Sequence, residues 1–145
     1  MSGEFGESGL EIDELERRMN DAPLMGYDQI KQVPSSSGVY TAWVNGESCC
    51  FYVGKASNLY ERIKSHFSGS RASDRFCLYV YDVYVHKERC NTNTEMTTTQ
   101  VNKLTSDWIR GRVRFRWIEL SDQESGAAEQ ALRLRWLPTL NPLRR

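Results

Sequence analysis

Tyr40, Tyr52, Arg62, His66 and Glu129 are, by type and order, an inventory for cutting a phosphodiester: two phenols, a guanidinium, an imidazole and a carboxylate. Such a catalyst must generate a nucleophile beside a negative group and stabilise a leaving alkoxide. Cations serve the second need and part of the first. Arg62 offers a planar fork matched to two phosphate oxygens. Glu129 can hold one divalent metal, Mg²⁺ or Mn²⁺, because Mg²⁺ binds through few carboxylates and keeps several waters. A phenol with a pKa of about 10 is a poor base at neutral pH, so Lys55, Arg62 or the metal has to favour its phenolate. His66 titrates in the useful range and can relay a proton or hydrogen-bond a tyrosine.

Each residue also has an ordinary reading. Tyrosines are common in strands. Glu129 and Arg133 stand at i, i+4, the spacing of an exposed helical ion pair, and Arg62 can pair with Glu61 or Glu95. A lone histidine is more often structural than catalytic, and Asn141 before Pro142 is a good turn residue. Taken one at a time these readings are the stronger; together they leave the ordering unexplained.

The elements that must position these residues follow from pattern. Residues 38–44 and about 50–55 read as strands joined through Asn45-Gly46, a hairpin signal, so Tyr40 and Tyr52 fall on paired neighbours. Whether they share a face depends on register, which local pattern leaves open. Asn58 with Glu61 opens a helix of about 58–67, with Leu59, Ile63 and Phe67 as its buried stripe and Arg62 and His66 one turn apart. Cys77 to His86, rich in Tyr and Val, reads as a third strand. A polar loop around Asn91–Thr97 leads to a helix of about 98–110, and Val113–Leu120 alternates as a half-buried strand. Ser121 with Glu124 opens a last helix, 122–136, which Pro138 stops. Upstream, Ile12, Leu15 and Met19 suggest a short amphipathic helix after a Gly- and Glu-rich start, residues 1–9, expected to be disordered. The expected class is therefore α+β: a small, mainly antiparallel sheet flanked by helices, residues 35–145, behind an acidic leader, residues 1–34.

At 145 residues the chain has the length of one domain. It holds no apolar run long enough for a membrane span and no signal-like start, so the expectation is a cytoplasmic protein. Its four cysteines lack Cys-x-x-Cys spacing and it has only two histidines, which disfavours zinc and suits reduced thiols. Formal net charge is zero, but residues 1–34 carry eight acids against three bases, and the remainder sixteen bases against eleven acids. Arg110, Arg112, Arg114 and Arg116 cluster in the basic part. Overall neutrality does not veto a nucleic-acid ligand, because the local field governs phosphate attraction.

The chain resembles the GIY-YIG nuclease family. Gly38-Val39-Tyr40 stands for the first tripeptide and Tyr52-Val53-Gly54 for the second, with Arg62 and His66 on the next helix, Glu129 on a later one and Asn141 after it. The resemblance spans about residues 36–142 and implies a three-stranded antiparallel sheet flanked by helices. It also implies a metal-dependent DNA endonuclease. One tyrosine, with Tyr40 preferred, takes a proton from water and the other positions it. Arg62 braces the phosphate, Lys55 adds charge, Glu129 binds the metal, His66 assists proton movement and Asn141 supports the site. Residues 87–112 and the leader depart from a minimal member. Restriction-like or structure-directed cleavage is expected over homing, and cutting both strands from one small site implies a homodimer or two nicks. The alternatives are a catalytically inactive nucleic-acid-binding module on the same fold and, last, a protein-interaction domain whose acidic leader meets a basic partner.

Overall fold

The computed structural model describes residues 11–89 and 95–141. The expected disorder of residues 1–9, Cys90, the first part of the polar loop and Pro142 lie outside the described residues. In chain order the elements are α1 (Ile12–Asp21), a 3-10 turn (Tyr27–Gln32), β1 (Gly38–Val44), β2 (Cys50–Ala56) and α2 (Leu59–His66). Then come α3 (Arg75–Val80), a π-helical turn (Tyr81–Val85), α4 (His86–Arg89), α5 (Thr98–Arg112), β3 (Val113–Glu119) and α6 (Asp122–Trp136). The strands form one antiparallel sheet in the order β2-β1-β3.

The β1–β2 hairpin turns where Asn45-Gly46 predicts, with Gly46 at φ 90° and the Glu47 amide donating to the Val44 carbonyl at 2.9 Å. Its register pairs Tyr40 with Gly54 and Ala42 with Tyr52, then slips so that Trp43 faces Cys50. Phe51 is the extra residue of this bulge. Phe51 and Tyr52 therefore both join Tyr40 on one face, in the core cluster that also holds Ile63, Phe67, Phe76 and Phe115. The question of a shared face is settled by that register.

The strand expected at Cys77–His86 is a helix. Strand-type composition misleads there, because Phe76, Cys77, Val80, Tyr81 and Val85 are the buried residues and their spacing marks one helical face. Asp74 starts it: its side chain accepts from the Cys77 amide at 3.0 Å. With that strand removed, the three strands are those the family resemblance implies.

The far face of the sheet carries a second core of Val39, Trp43, Val53 and Ile118, covered by Leu15 and Met19 of α1 and by Ala128 and Leu132 of α6. The leader helix thus packs on the sheet layer, and its acids Asp13 and Glu16 meet Arg135. Both sheet edges are blunted by single-residue pairings. Met25 exchanges backbone hydrogen bonds with Phe115 beside β3, and Leu140 donates to Phe51 beside β2. Among the described residues no helix is long and apolar enough to cross a membrane, and Cys49, Cys50 and Cys77 are free thiols.

Candidate active site

Two glycines make room for the site. A Cβ on Gly54 would lie 2.5 Å from both Cζ and Oη of Tyr40, so the Tyr40 ring can cross β2 only over a residue without a side chain. A Cβ on Gly38 would lie 2.4 Å from the Ile118 carbonyl oxygen, which β3 brings against β1. The glycine of each tripeptide is therefore a steric requirement.

Tyr40 is fully buried, and its hydroxyl lies 2.6 Å from Nε2 of His66. His66, also buried, points Nδ1 at Asp74, at 2.9 Å from Oδ2 and 3.1 Å from Oδ1. The Asp74 carboxylate further accepts from the Ser65 hydroxyl at 2.5 Å. Tyr52 is half-buried beside this chain of groups, its ring T-shaped against His66 with centroids 6.0 Å apart. Burial holds the Tyr40 phenol well above its ordinary value, and the neighbouring Tyr52 raises it further. Burial also raises Tyr52, helped by Glu129 and opposed by Arg62.

Glu129, half-buried on α6, shares a cleft with Lys55, Gly126, Gln130 and Arg133. Burial disfavours its ionised form, which Arg133, Lys55 and Arg62 favour. The Arg133 guanidinium stands 3.9 Å away, so the i, i+4 pair exists but is loose. A Cβ on Gly126 would be 3.7 Å from Lys55 Nζ, which places the ammonium along the glycine face of α6. Lys55 also borders the adjoining cleft lined by Arg62, Ser57, Asp122 and Ser125. Arg62 is exposed there, on the helix that buries His66.

Asn141 lies apart from these clefts and is buried against β2. Its Oδ1 accepts from the Val53 amide at 2.6 Å and its Nδ2 donates to the Val53 carbonyl at 3.0 Å. The structure thus brings together Tyr40, Tyr52 and His66 in one set of contacts, and Lys55, Arg62 and Glu129 along neighbouring clefts. Asp74 escaped the sequence reading. Its signal was a capping residue three before Cys77, hidden once that stretch was read as a strand. Three of the four arginines of the run lie over aromatic rings. Arg110 lies over Tyr27, Arg112 over Trp108, Arg116 over Trp43, and Arg114 against Gly26.

The buried pair makes the fold acid-sensitive. Burial pushes the His66 pKa below 6.5 despite the pull of Asp74. Burial pushes the Asp74 carboxyl up, but His66, Ser65 and the Cys77 amide bring it down from 3.8 to about 2. Both folded values lie below the unfolded ones, so both groups stabilise the fold at neutral pH and lose that contribution as pH falls. For His66 the loss begins near 6.5 and runs through its lowered folded value; for Asp74 it runs from 3.8 to about 2 and amounts to about 2 kcal/mol. Thermal unfolding should be nearly flat from pH 8 to 7 and fall below 6.5, and His66→Gln should remove the upper part of that fall.

The model of the GIY-YIG catalytic domain matches residues 23–143. UvrABC system protein C of Campylobacter jejuni (serotype O:23/36, strain 81-176) is 38% identical over 74 residues, covering 47% of this chain and 12% of that protein. The same protein from strain 81116 matches equally. The chain therefore corresponds to only a small part of the length of these relatives. Among solved structures, the GIY-YIG N-terminal endonuclease domain of UvrC from Thermotoga maritima, bound to magnesium as its catalytic divalent cation, aligns with a TM-score of 0.43 and 18% identity. The alignment covers 79% of this chain and 93% of that one.

Proposed function

This chain belongs to the GIY-YIG catalytic-domain family, and we propose that it is a metal-dependent endonuclease that hydrolyses phosphodiester bonds of DNA in a restriction-like or structure-directed manner. The observation that carries this reading is the environment of Glu129. A half-buried carboxylate faces the positive field of Lys55 and Arg62 while acting electrostatically on the Tyr52 phenol. A lone carboxylate with a loose partner and an open cleft suits Mg²⁺ or Mn²⁺, which take one or two carboxylates and leave places for water and phosphate oxygens. Glu129 would hold it, and the cation would supply neutralisation of charge on the phosphate.

The remaining roles belong to the chain's own side chains. Arg62 braces the scissile phosphate through two of its oxygens, and Lys55 adds charge beside it. Tyr52, half-buried, is the phenol within reach of solvent, so we assign it the attacking water's proton in place of Tyr40, which is fully buried. Tyr40 acts behind it: as Tyr52 passes its own proton inward to Tyr40, Tyr40 passes its proton to Nε2 of His66. Tyr52, refilled by the water's proton, and Tyr40 both end neutral, and the imidazolium that forms stays paired with Asp74. Gly38 and Gly54 give the close approaches this stacking needs, and Asn141 steadies β2, the strand that carries Tyr52.

The test is cleavage of supercoiled plasmid and single-stranded DNA with Mg²⁺ or Mn²⁺, with EDTA, and by Arg62→Ala. We expect metal-dependent cutting that EDTA stops, and a loss on the order of a hundred- to a thousandfold in the variant. Nicked circles accumulating before linear product would mark two successive nicks; their absence would favour a homodimer acting on both strands. Retained binding without cutting would instead support the inert binding module.

A further inference from the structure

We infer that Asp74 is a positioning residue of this reaction, fixing the one neutral tautomer of His66 that leaves Nε2 free to accept the Tyr40 proton. The inference rests on the nuclease reading for its consequence, though not for its geometry.

Asp74 comes eight residues after His66, and the turn between α2 and α3 returns it beneath the imidazole. Its side chain is 4% exposed and that of His66 is 3% exposed. A carboxylate only accepts, so a hydrogen bond to Nδ1 requires the proton to be on Nδ1. In the neutral ring Nε2 is then bare, and its partner 2.6 Å away, the Tyr40 hydroxyl, must donate. The ring cannot swing out of this alignment, because Phe76 stacks on it at 4.4 Å between centroids and Phe115 at 6.0 Å. Among the described residues, the titratable and charged groups around it are Tyr40 from β1, Tyr52 from β2, Asp74 capping α3, Cys77 of α3, whose thiol lies 3.3 Å from the His66 carbonyl, and Arg62 from its own helix. From β3 the contact is the uncharged Phe115. Helix capping alone explains one of the carboxylate's contacts, the Cys77 amide; it does not explain the ring.

Asp74→Asn separates the two roles, since asparagine caps helices as well as aspartate. The Cys77 amide needs an acceptor and keeps the new carbonyl oxygen in the Oδ1 position. The amide nitrogen then takes the Oδ2 position, 2.9 Å from Nδ1, with the Ser65 hydroxyl, which donates to Oδ2 in the parent, rotating to accept from it. There it donates, moving the ring proton to Nε2 and turning Tyr40 from donor to acceptor. Turnover should fall on the order of a hundred- to ten-thousandfold, with plasmid affinity nearly unchanged and the thermal midpoint lowered only by the loss of the Asp74 carboxylate's own contribution, the protein remaining folded. Two-bond ¹⁵N–¹H NMR of the full chain at neutral pH should show His66 as the Nδ1–H tautomer in the parent and Nε2–H in the variant. The chain has only one other histidine, the exposed His86.

A parent in the Nε2–H form overturns the inference whatever the activity. So does a variant that cuts at the parent rate, or one that loses activity with Nδ1–H retained. A parent that cuts no DNA with Mg²⁺ or Mn²⁺ sinks the nuclease reading, and with it the role in the reaction, while the spectrum still decides the tautomer.

Discussion

Glu129→Gln should lose cleavage by about a thousandfold in Mg²⁺ while the folded protein changes little. The amide keeps the shape and removes the charge, so, on the role proposed for Glu129, the site would lose the carboxylate that holds the cation, and with it the positive charge beside the phosphate. Losing one preorganised electrostatic contact at a charge-developing centre costs about 3–4 kcal/mol of transition-state stabilisation. Stability should stay within about 1 kcal/mol, because burial already disfavours the ionised carboxylate and its Arg133 pair is loose at 3.9 Å. Two measurements check this. Single-turnover cleavage gives the rate, and thermal midpoints with and without Mn²⁺ give metal binding, since a ligand bound only by the folded state raises the midpoint. The parent should gain stability with Mn²⁺ and the variant should not. A variant that is still stabilised by Mn²⁺ would place the cation elsewhere.

Asn141→Ala should destabilise the fold about as much as truncating a buried aliphatic side chain. β2 is an edge strand, and its Val53 amide and carbonyl find their partners in the Asn141 side chain, at 2.6 and 3.0 Å. One carboxamide thus stands in for a residue of a neighbouring strand. It is delivered by a reversal in which Leu137, ending α6, adopts a left-handed conformation with φ 47°. Truncation leaves two backbone groups without their partners in a place only 7% exposed. At about 1–3 kcal/mol for each buried unsatisfied group, the loss should be roughly 2–6 kcal/mol, read as a lowered urea midpoint with an unchanged slope. Cleavage should fall too, because Tyr52 precedes Val53 on the loosened strand. A loss below about 0.5 kcal/mol would show that water replaces the amide at no cost.

Local patterns carried much of the architecture. The Asn45-Gly46 turn, the Asn58 and Ser121 caps, the α6 span of 122–136 and the buried face of α1 all depend on residues within a few positions of one another. Each was therefore legible as spacing. The segment after Asp74 was not, because β-branched and aromatic residues pack as well on a buried helix face as on a strand, and only the neighbours decide between them. The same ambiguity concealed Asp74.

The sequence by itself determined the inventory: which phenols, cations and carboxylate are present, and the glycines without which they could not be stacked. It also settled the family to which that order belongs. Tertiary structure decided which tyrosine is sealed against His66 and which stays half-open beside Glu129. It decided too that Asp74 completes the buried chain, that Asn141 closes an edge strand, and that Arg110, Arg112 and Arg116 lie over aromatic rings. These outcomes depend on a one-residue bulge and on pairings between residues dozens of positions apart. Such contacts are set by which packing fills the core and satisfies every buried polar group, a property of the whole chain that no local window contains.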